Sequence, residues 1–145
     1  MTGLSETDVI NGKALFANMV DGIRTALDNG ITVGLGTDAG CPYTTHYDFW
    51  RELVYFSKYI GVSPAFALHT ATKINADIAG IGDLTGTLEP GKCADILLTD
   101  KNPLDDLAAL RTPAAVVTRG ILFTSPKVKK FADVENALDG LMVNL

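Results

Sequence analysis

The sequence predicts an α/β fold, and three observations carry that prediction. Residues 5–28 hold a helical stripe: Leu15, Met19, Ile23 and Leu27 recur at i, i+4, i+8 and i+12, and Val20 and Ala26 widen it. A short apolar run flanked by glycine, I-T-V-G-L-G at residues 31–36, comes next and suits a buried parallel strand. From about residue 82 the pattern turns to short apolar runs separated by turn residues, the signature of a small β unit.

Ser5 with Asp8 offers an N-terminal cap for the first helix, and Asn29-Gly30 offers its stop. After the strand, T-D-A-G-C-P at residues 37–42 breaks regular structure. A second helix is expected over residues 47–60, with Trp50, Leu53, Val54 and Phe56 near one face and Gly61 as its end. Ser63-Pro64 starts a third, with Ser as N-cap and Pro at the first helical position. A short helical stretch over residues 75–79 ends at Gly80. Strands are then expected at residues 86–89 and 94–99, joined through Pro90-Gly91-Lys92. A short helix is expected at residues 104–110, and a hairpin at residues 115–118 and 121–124 turns on Arg119-Gly120. The tail carries Lys127, Lys129 and Lys130, read as solvated, then a weakly amphipathic stretch at residues 134–141.

Composition limits the function classes. The chain has 145 residues, 47% hydrophobic and 20% charged, with a net charge of −5, so it reads as globular and lacks the basic footprint of a nucleic-acid binder. No apolar run reaches the roughly 18 residues of a membrane span. The start shows no basic and apolar signal-peptide pattern, and two cysteines, Cys41 and Cys93, make no disulfide framework. A reducing cytoplasm is therefore the expected compartment. Only two histidines occur, His46 and His69, and no H-x-H, H-E-x-x-H or C-x-x-C motif.

Asp38 is the chemically prominent residue. It stands where the strand would end, and in α/β folds ligands bind beyond the carboxyl ends of strands. A carboxylate there can ligate a metal and take a proton from water. The competing reading, which pattern alone favours, is that Asp38 caps the turn after the strand. His46 lies eight residues on, either contacting substrate at the mouth of a site or facing solvent at a helix start. His69 reads as structural, Cys41 as an idle thiol beside the loop, and Phe49, Trp50 and Phe56 as core.

From about Arg24 onward the chain resembles the C-terminal portion of the amidohydrolase superfamily, nearest its imidazolonepropionase-like and prolidase-like hydrolases. The motifs are A-L-D-N-G-I-T-V-G-L-G-T-D-A-G (residues 26–40), S-P-A-F-A-L-H-T-A-T-K-I-N-A (63–76), G-D-L-T-G-T-L-E-P-G-K-C-A-D-I-L-L (82–98), N-P-L-D-D (102–106) and V-V-T-R-G-I-L-F (116–123). Each is weak alone, and five in family order are specific. The resemblance implies a C-terminal fragment of a (β/α)8 TIM barrel, with residues 31–36 as strand 8 and its flanking helices, plus the C-terminal share of a small β-sandwich. The implied segments are residues 1–81 for the end of the barrel, 82–124 for the sandwich and 125–145 for the tail.

The resemblance also implies function. Asp38 matches the family's last metal-site residue, which holds the nucleophilic water, takes its proton and passes it to the leaving nitrogen. His46 is the candidate substrate-binding residue. The implied reaction is hydrolysis of a C–N bond in an amide, cyclic amide or peptide, with one or two divalent metals, zinc by default. Asp95, in G-K-C-A-D, falls in the sandwich and away from the metal. The family's other metal ligands lie upstream of residue 1, so this stretch alone is expected to be inactive. A deaminase of the same superfamily and a non-catalytic α/β binding or assembly module are the rival readings. A small-molecule amide or peptide is the expected partner, with neither nucleic acid nor membrane, and homo-oligomerisation is left open.

Overall fold

The computed structural model describes residues 5–143, without the side chains of residues 8 and 9. The expected Ser5–Asp8 cap therefore lies outside the described residues. The chain divides into two compact units at Val33/Gly34.

The first unit is dominated by α1 (Glu6–Asp28). It ends as Asn29-Gly30 predicts. Gly30 takes a left-handed φ of 71°, its N–H donates to Leu27 O at 3.0 Å, and the N–H of Ile31 donates to Ala26 O at 2.9 Å. This pair of bonds satisfies carbonyls that the last helical turn would leave bare.

In the second unit, α2 (Phe49–Tyr55) continues into a π-helical turn (Phe56–Ile60). The next helical run is α3 (Pro64–His69), a second π-helical turn (Thr70–Ile74) and α4 (Asn75–Ile78), without a break. Ser63 caps α3 as expected, its Oγ accepting the Phe66 N–H at 3.2 Å, and Pro64 stands in the first turn. At the far end Ile81 N–H donates to Ala76 O at 2.9 Å, the same closure as that of α1. The core lies where α2 meets α3 and a 3-10 turn (Leu107–Arg111): Trp50, Leu53, Phe56, Ala67, Ala76 and Leu107 are buried, and so is Ala115 on the sheet. Phe56 stacks on Phe66 with ring centroids 6.3 Å apart. Burying a side chain such as Leu53 stabilises the fold by about 1.5–3 kcal/mol.

The described strands form one antiparallel sheet in the order β1 (Ile96–Leu98), β2 (Ala115–Thr118), β3 (Ile121–Thr124). Ile96 faces Val117 and Thr118 faces Ile121 across the two ladders. The hairpin turns on Arg119 and Gly120, with φ of 48° and 81°. Two successive positive φ values match the twist of the flanking strands, and Gly at the second position carries its share at no steric cost.

Four expectations are corrected. Residues 31–36 form no ladder, because among the described residues no second strand lies beside them to exchange bonds. Residues 86–89 are a loop, drawn in by the Lys92 ammonium, which donates to Gly82 O and to Thr87 Oγ1, both at 2.7 Å. The strand expected at 94–99 keeps only its middle. Asp95 bends out to accept the Arg119 N–H at 2.8 Å and the Thr85 hydroxyl at 3.0 Å. The helix expected at 104–110 is the single 3-10 turn, started by Asp106, whose carboxylate accepts the Ala108 N–H at 2.9 Å. The amphipathic stretch expected in the tail forms α5 (Ala132–Met142), with Glu135 buried on it, and of the three exposed tail lysines Lys130 turns back towards Glu135 at 3.4 Å.

Candidate functional site

Residues 37–48 form the loop in which the two candidate residues sit. Its far end is rigidly built. Gly40 N–H donates to Thr44 O at 3.1 Å and Thr44 N–H to Cys41 O at 3.0 Å, so the loop folds on itself. Thr45 Oγ1 donates to Asp48 Oδ2 at 2.8 Å and the Trp50 indole N–H to Asp48 Oδ1 at 3.0 Å. Both oxygens of buried Asp48 are thus engaged, and the loop is anchored to α2.

Asp38 is at the near end, three residues beyond Leu35. Its backbone is left-handed, with φ 51°, a conformation that Asp tolerates better than most residues. Its side chain is exposed and makes no hydrogen bond or ion pair among the described residues. The turn-capping alternative therefore has no bond to support it. Arg51, the nearest conceivable counter-ion by sequence, is engaged with other carboxylates. His46 is exposed as well, its ring meeting Tyr47 edge-on at 5.2 Å. The structure places both candidates in one loop and does not join them by a bond. His69 is exposed at the end of α3, and Cys41 and Cys93 are free and exposed.

The approach to Asp38 is tied down from α4. Asn75 Oδ1 accepts the Leu35 N–H and its Nδ2 donates to the Leu35 carbonyl, each at 2.9 Å. Asn75 falls within one of the five motifs, and sequence reasoning assigns it no role. An Asn inside a helical run of apolar and small residues, where it is a poor helix former, is the available signal.

A second polar centre lies beneath the loop. Arg51, 3% exposed, reaches Asp139 at 2.8 Å, Asp48 at 3.5 Å and Glu135 at 3.7 Å. Arg111 adds contacts to Asp139 at 2.8 Å and Glu135 at 3.2 Å. The Trp50 ring lies against both guanidinium groups, at 4.6 Å from Arg51 and 5.4 Å from Arg111. Burial pushes the Asp48 carboxyl up, but hydrogen bonding with Glu135, Thr45 and Trp50 and the charge of Arg51 outweigh it, so the group sits below its ordinary range. Hydrogen bonds from Arg111 and Arg51 hold Asp139 low as well. Every member of this centre serves α2, α5 or the 3-10 turn, and it fastens the C-terminal helix under the loop.

For a metal the local chemistry is partial. Asp38 fits the part of one oxygen ligand. Among the described residues no three His, Cys, Asp or Glu side chains converge to complete a shell. No described helix is long and apolar enough to cross a membrane.

Comparison with known proteins places this arrangement. The model of the Amidohydrolase family matches residues 3–135. Ochratoxinase of Aspergillus niger is 32% identical over 124 residues, covering 80% of this chain and 24% of that protein. The crystal structure of a putative prolidase from Bifidobacterium longum is 45% identical, with a TM-score of 0.88, over 96% of this chain and 34% of that one. A Xaa-Pro dipeptidase with methionine bound in its active site is 32% identical, with a TM-score of 0.66, over 72% of this chain and 25% of that one. The chain thus spans about a quarter to a third of these three proteins. With the family match running through the loop, the helices and the hairpin alike, the chain belongs to the amidohydrolase family.

Proposed function

We propose that this chain works as part of a longer, metal-dependent hydrolase built on a (β/α)8 barrel, and that it cleaves a C–N bond of an amide or peptide. The carrying observation is the exposed carboxylate of Asp38, unpaired among the described residues and held on a left-handed residue two positions beyond the apolar segment 31–36. Two structural neighbours bear the names prolidase and Xaa-Pro dipeptidase, which makes dipeptides ending in proline the first substrate class to test.

A divalent cation, zinc by default and one or two in number, would supply the Lewis acidity that brings a water pKa to about 7. The described residues fill at most one of its positions, through Asp38. The steps assigned to this chain run through its own side chains. Asp38 accepts a proton as water oxygen bonds to the carbonyl carbon. It then delivers that proton to the nitrogen as the C–N bond breaks, so that acid and amine leave and the carboxylate is regenerated. His46, exposed in the same loop, is assigned to the substrate at the mouth of the site. Acting alone, without the remaining ligands, the 145-residue chain is inactive in this reading.

The test uses the full-length enzyme loaded with zinc and Ala-Pro as substrate, with proline release as the readout. Turnover that chelation abolishes and zinc restores is the expected result. Release of ammonia from an aminopurine, in place of proline from Ala-Pro, would favour the deaminase reading. No C–N hydrolysis by a zinc-loaded protein would favour the non-catalytic module.

A further inference from the structure

We propose that Asn75 is a positioning residue for Asp38: its side-chain amide bonds both backbone polar groups of Leu35 and so fixes the segment from which Asp38 projects. The proposal rests on the reading of Asp38 as proton acceptor.

Both backbone polar groups of Leu35 are satisfied by one side chain. Asn75 Oδ1 accepts its N–H and Asn75 Nδ2 donates to its carbonyl, each at 2.9 Å and part-buried. A carboxamide carries one acceptor and two N–H donors in a plane, as a peptide group carries one of each, so it can copy the paired bonds of a ladder. Gln would place the same group one methylene too far out. Asp would keep the acceptor and set a carboxylate oxygen against the Leu35 carbonyl.

Two further features serve this clamp. The first is Gly34. A Cβ there would stand 2.8 Å from Asn75 Oδ1 and 2.9 Å from Ile78 Cδ1, so any side chain at this position would displace the amide. Gly34 thus leaves the space in which Asn75 works. The second is the π-helical turn Thr70–Ile74, which ends immediately before Asn75. One residue inserted into an α-helix rotates the downstream side chains by about 100°. The turn therefore changes the direction in which Asn75 leaves the helix. Such turns cost hydrogen-bond quality and concentrate at functional sites.

The lever to Asp38 is short. It lies three residues beyond Leu35, so the two Cα atoms are within about 11 Å even when fully extended. Gly36 and Thr37 alone stand between them, and a slip at Leu35 is handed on to the carboxylate. Misplacement of a reacting group by about 1 Å can cost ~10²-fold in rate.

The experiment compares Asn75→Leu, Gly34→Ala and Asp38→Asn in the full-length zinc-loaded enzyme, with Ala-Pro as substrate, and measures amide hydrogen exchange in each. Asn75→Leu keeps the shape and removes both bonds, and Gly34→Ala reaches the same bonds from the other side. Each is expected to lower kcat by about 10- to 100-fold, with KM changed by less than about threefold. In each, the Leu35 amide should exchange at least about tenfold faster, while the amides of β2 and β3 keep their protection. Asn75→Asp, which keeps the acceptor for the Leu35 N–H but repels the Leu35 carbonyl, should also lower kcat by at least about tenfold and covers the case in which Asn75→Leu does not fold. Unchanged kcat in Asn75→Leu and Gly34→Ala, or an unchanged Leu35 amide, overturns the proposal. So does a loss of kcat in which the hairpin amides exchange as fast as Leu35, since that is general loosening. If Asp38→Asn is inactive and Asn75→Leu is not, only the positioning role fails. If Asp38→Asn retains activity, the proton-acceptor reading fails and the positioning role falls with it.

Discussion

Arg51→Ala is expected to be the most damaging single change in the charged centre below the loop. The guanidinium is 3% exposed and faces three carboxylates, at 2.8 Å from Asp139, 3.5 Å from Asp48 and 3.7 Å from Glu135. Asp48 and Glu135 are themselves 5% and 6% exposed, so they cannot turn to water when the cation is removed. Arg111 and Lys130, each with 34% of its side chain exposed, are the remaining cations near Glu135. The centre is also short of partners already, since among the described residues Arg51 Nε and Glu135 Oε1 are buried without a hydrogen bond. Breaking a buried pair by deleting one partner costs about 3–5 kcal/mol. Deleting the more exposed Arg111 should cost about 1 kcal/mol, as partly solvated ion pairs do. Against a total stability of about 5–15 kcal/mol, loss of Arg51 removes about a fifth or more. Urea unfolding of the 145-residue chain at about pH 7, monitored by circular dichroism, measures both. Neutralising the stranded carboxylates in the same background, with Asp48→Asn and Glu135→Gln, should recover part of the loss. If Arg51→Ala and Arg111→Ala cost the same within about 0.5 kcal/mol, the buried charge is not what holds α5 in place.

Three other outcomes are expected. The carboxyls of Asp48 and Asp139 titrate below their ordinary value of 3.8 in the folded chain, so their contribution is complete above that value and is lost as pH falls through the lowered folded values. Urea midpoints should therefore drop below about pH 4, more steeply in wild type than in Asp139→Asn; equal slopes would remove Asp139 from the account. Ser63→Ala deletes the bond to the Phe66 N–H and should cost about 1 kcal/mol of stability, with an unchanged thermal midpoint as the contrary result. Zinc titrated calorimetrically into the 145-residue chain should show no stoichiometric nanomolar site, because the described residues bring no three ligands together; such a site would contradict the partial-shell reading.

The features legible in the sequence are those that local chemistry decides. Asn29-Gly30 ends α1 because a left-handed residue closes the helix, and Ser63-Pro64 starts α3 because a hydroxyl and a ring suit a first turn. Arg119-Gly120 sits between two apolar runs, and the hairpin register is set by the turn. The long-range features are hidden. Only Asp48 three residues before Arg51, with Trp50 between, hints that this arginine is buried. Its other partners, Glu135 and Asp139, lie more than eighty residues away. The π-helical turns have no period of their own to detect in so short a span. Residues 31–36 carry the apolar content of a strand, but strand pairing is a property of neighbours, and composition says nothing of whether they are alongside. Asp38 is legible as a loop carboxylate, while the clamp that holds its approach requires the fold to bring Asn75 forty residues back to Leu35.

The most direct test of the central claim is the kcat of Asp38→Asn in the full-length zinc-loaded enzyme, measured with Ala-Pro. Asn keeps the shape and the left-handed tolerance of Asp and cannot take a proton. A general acid–base group contributes ~10²–10⁴-fold, so kcat should fall by that factor while KM changes little. A variant with near-normal kcat would contradict the assignment of Asp38 and with it the chemistry proposed for this chain.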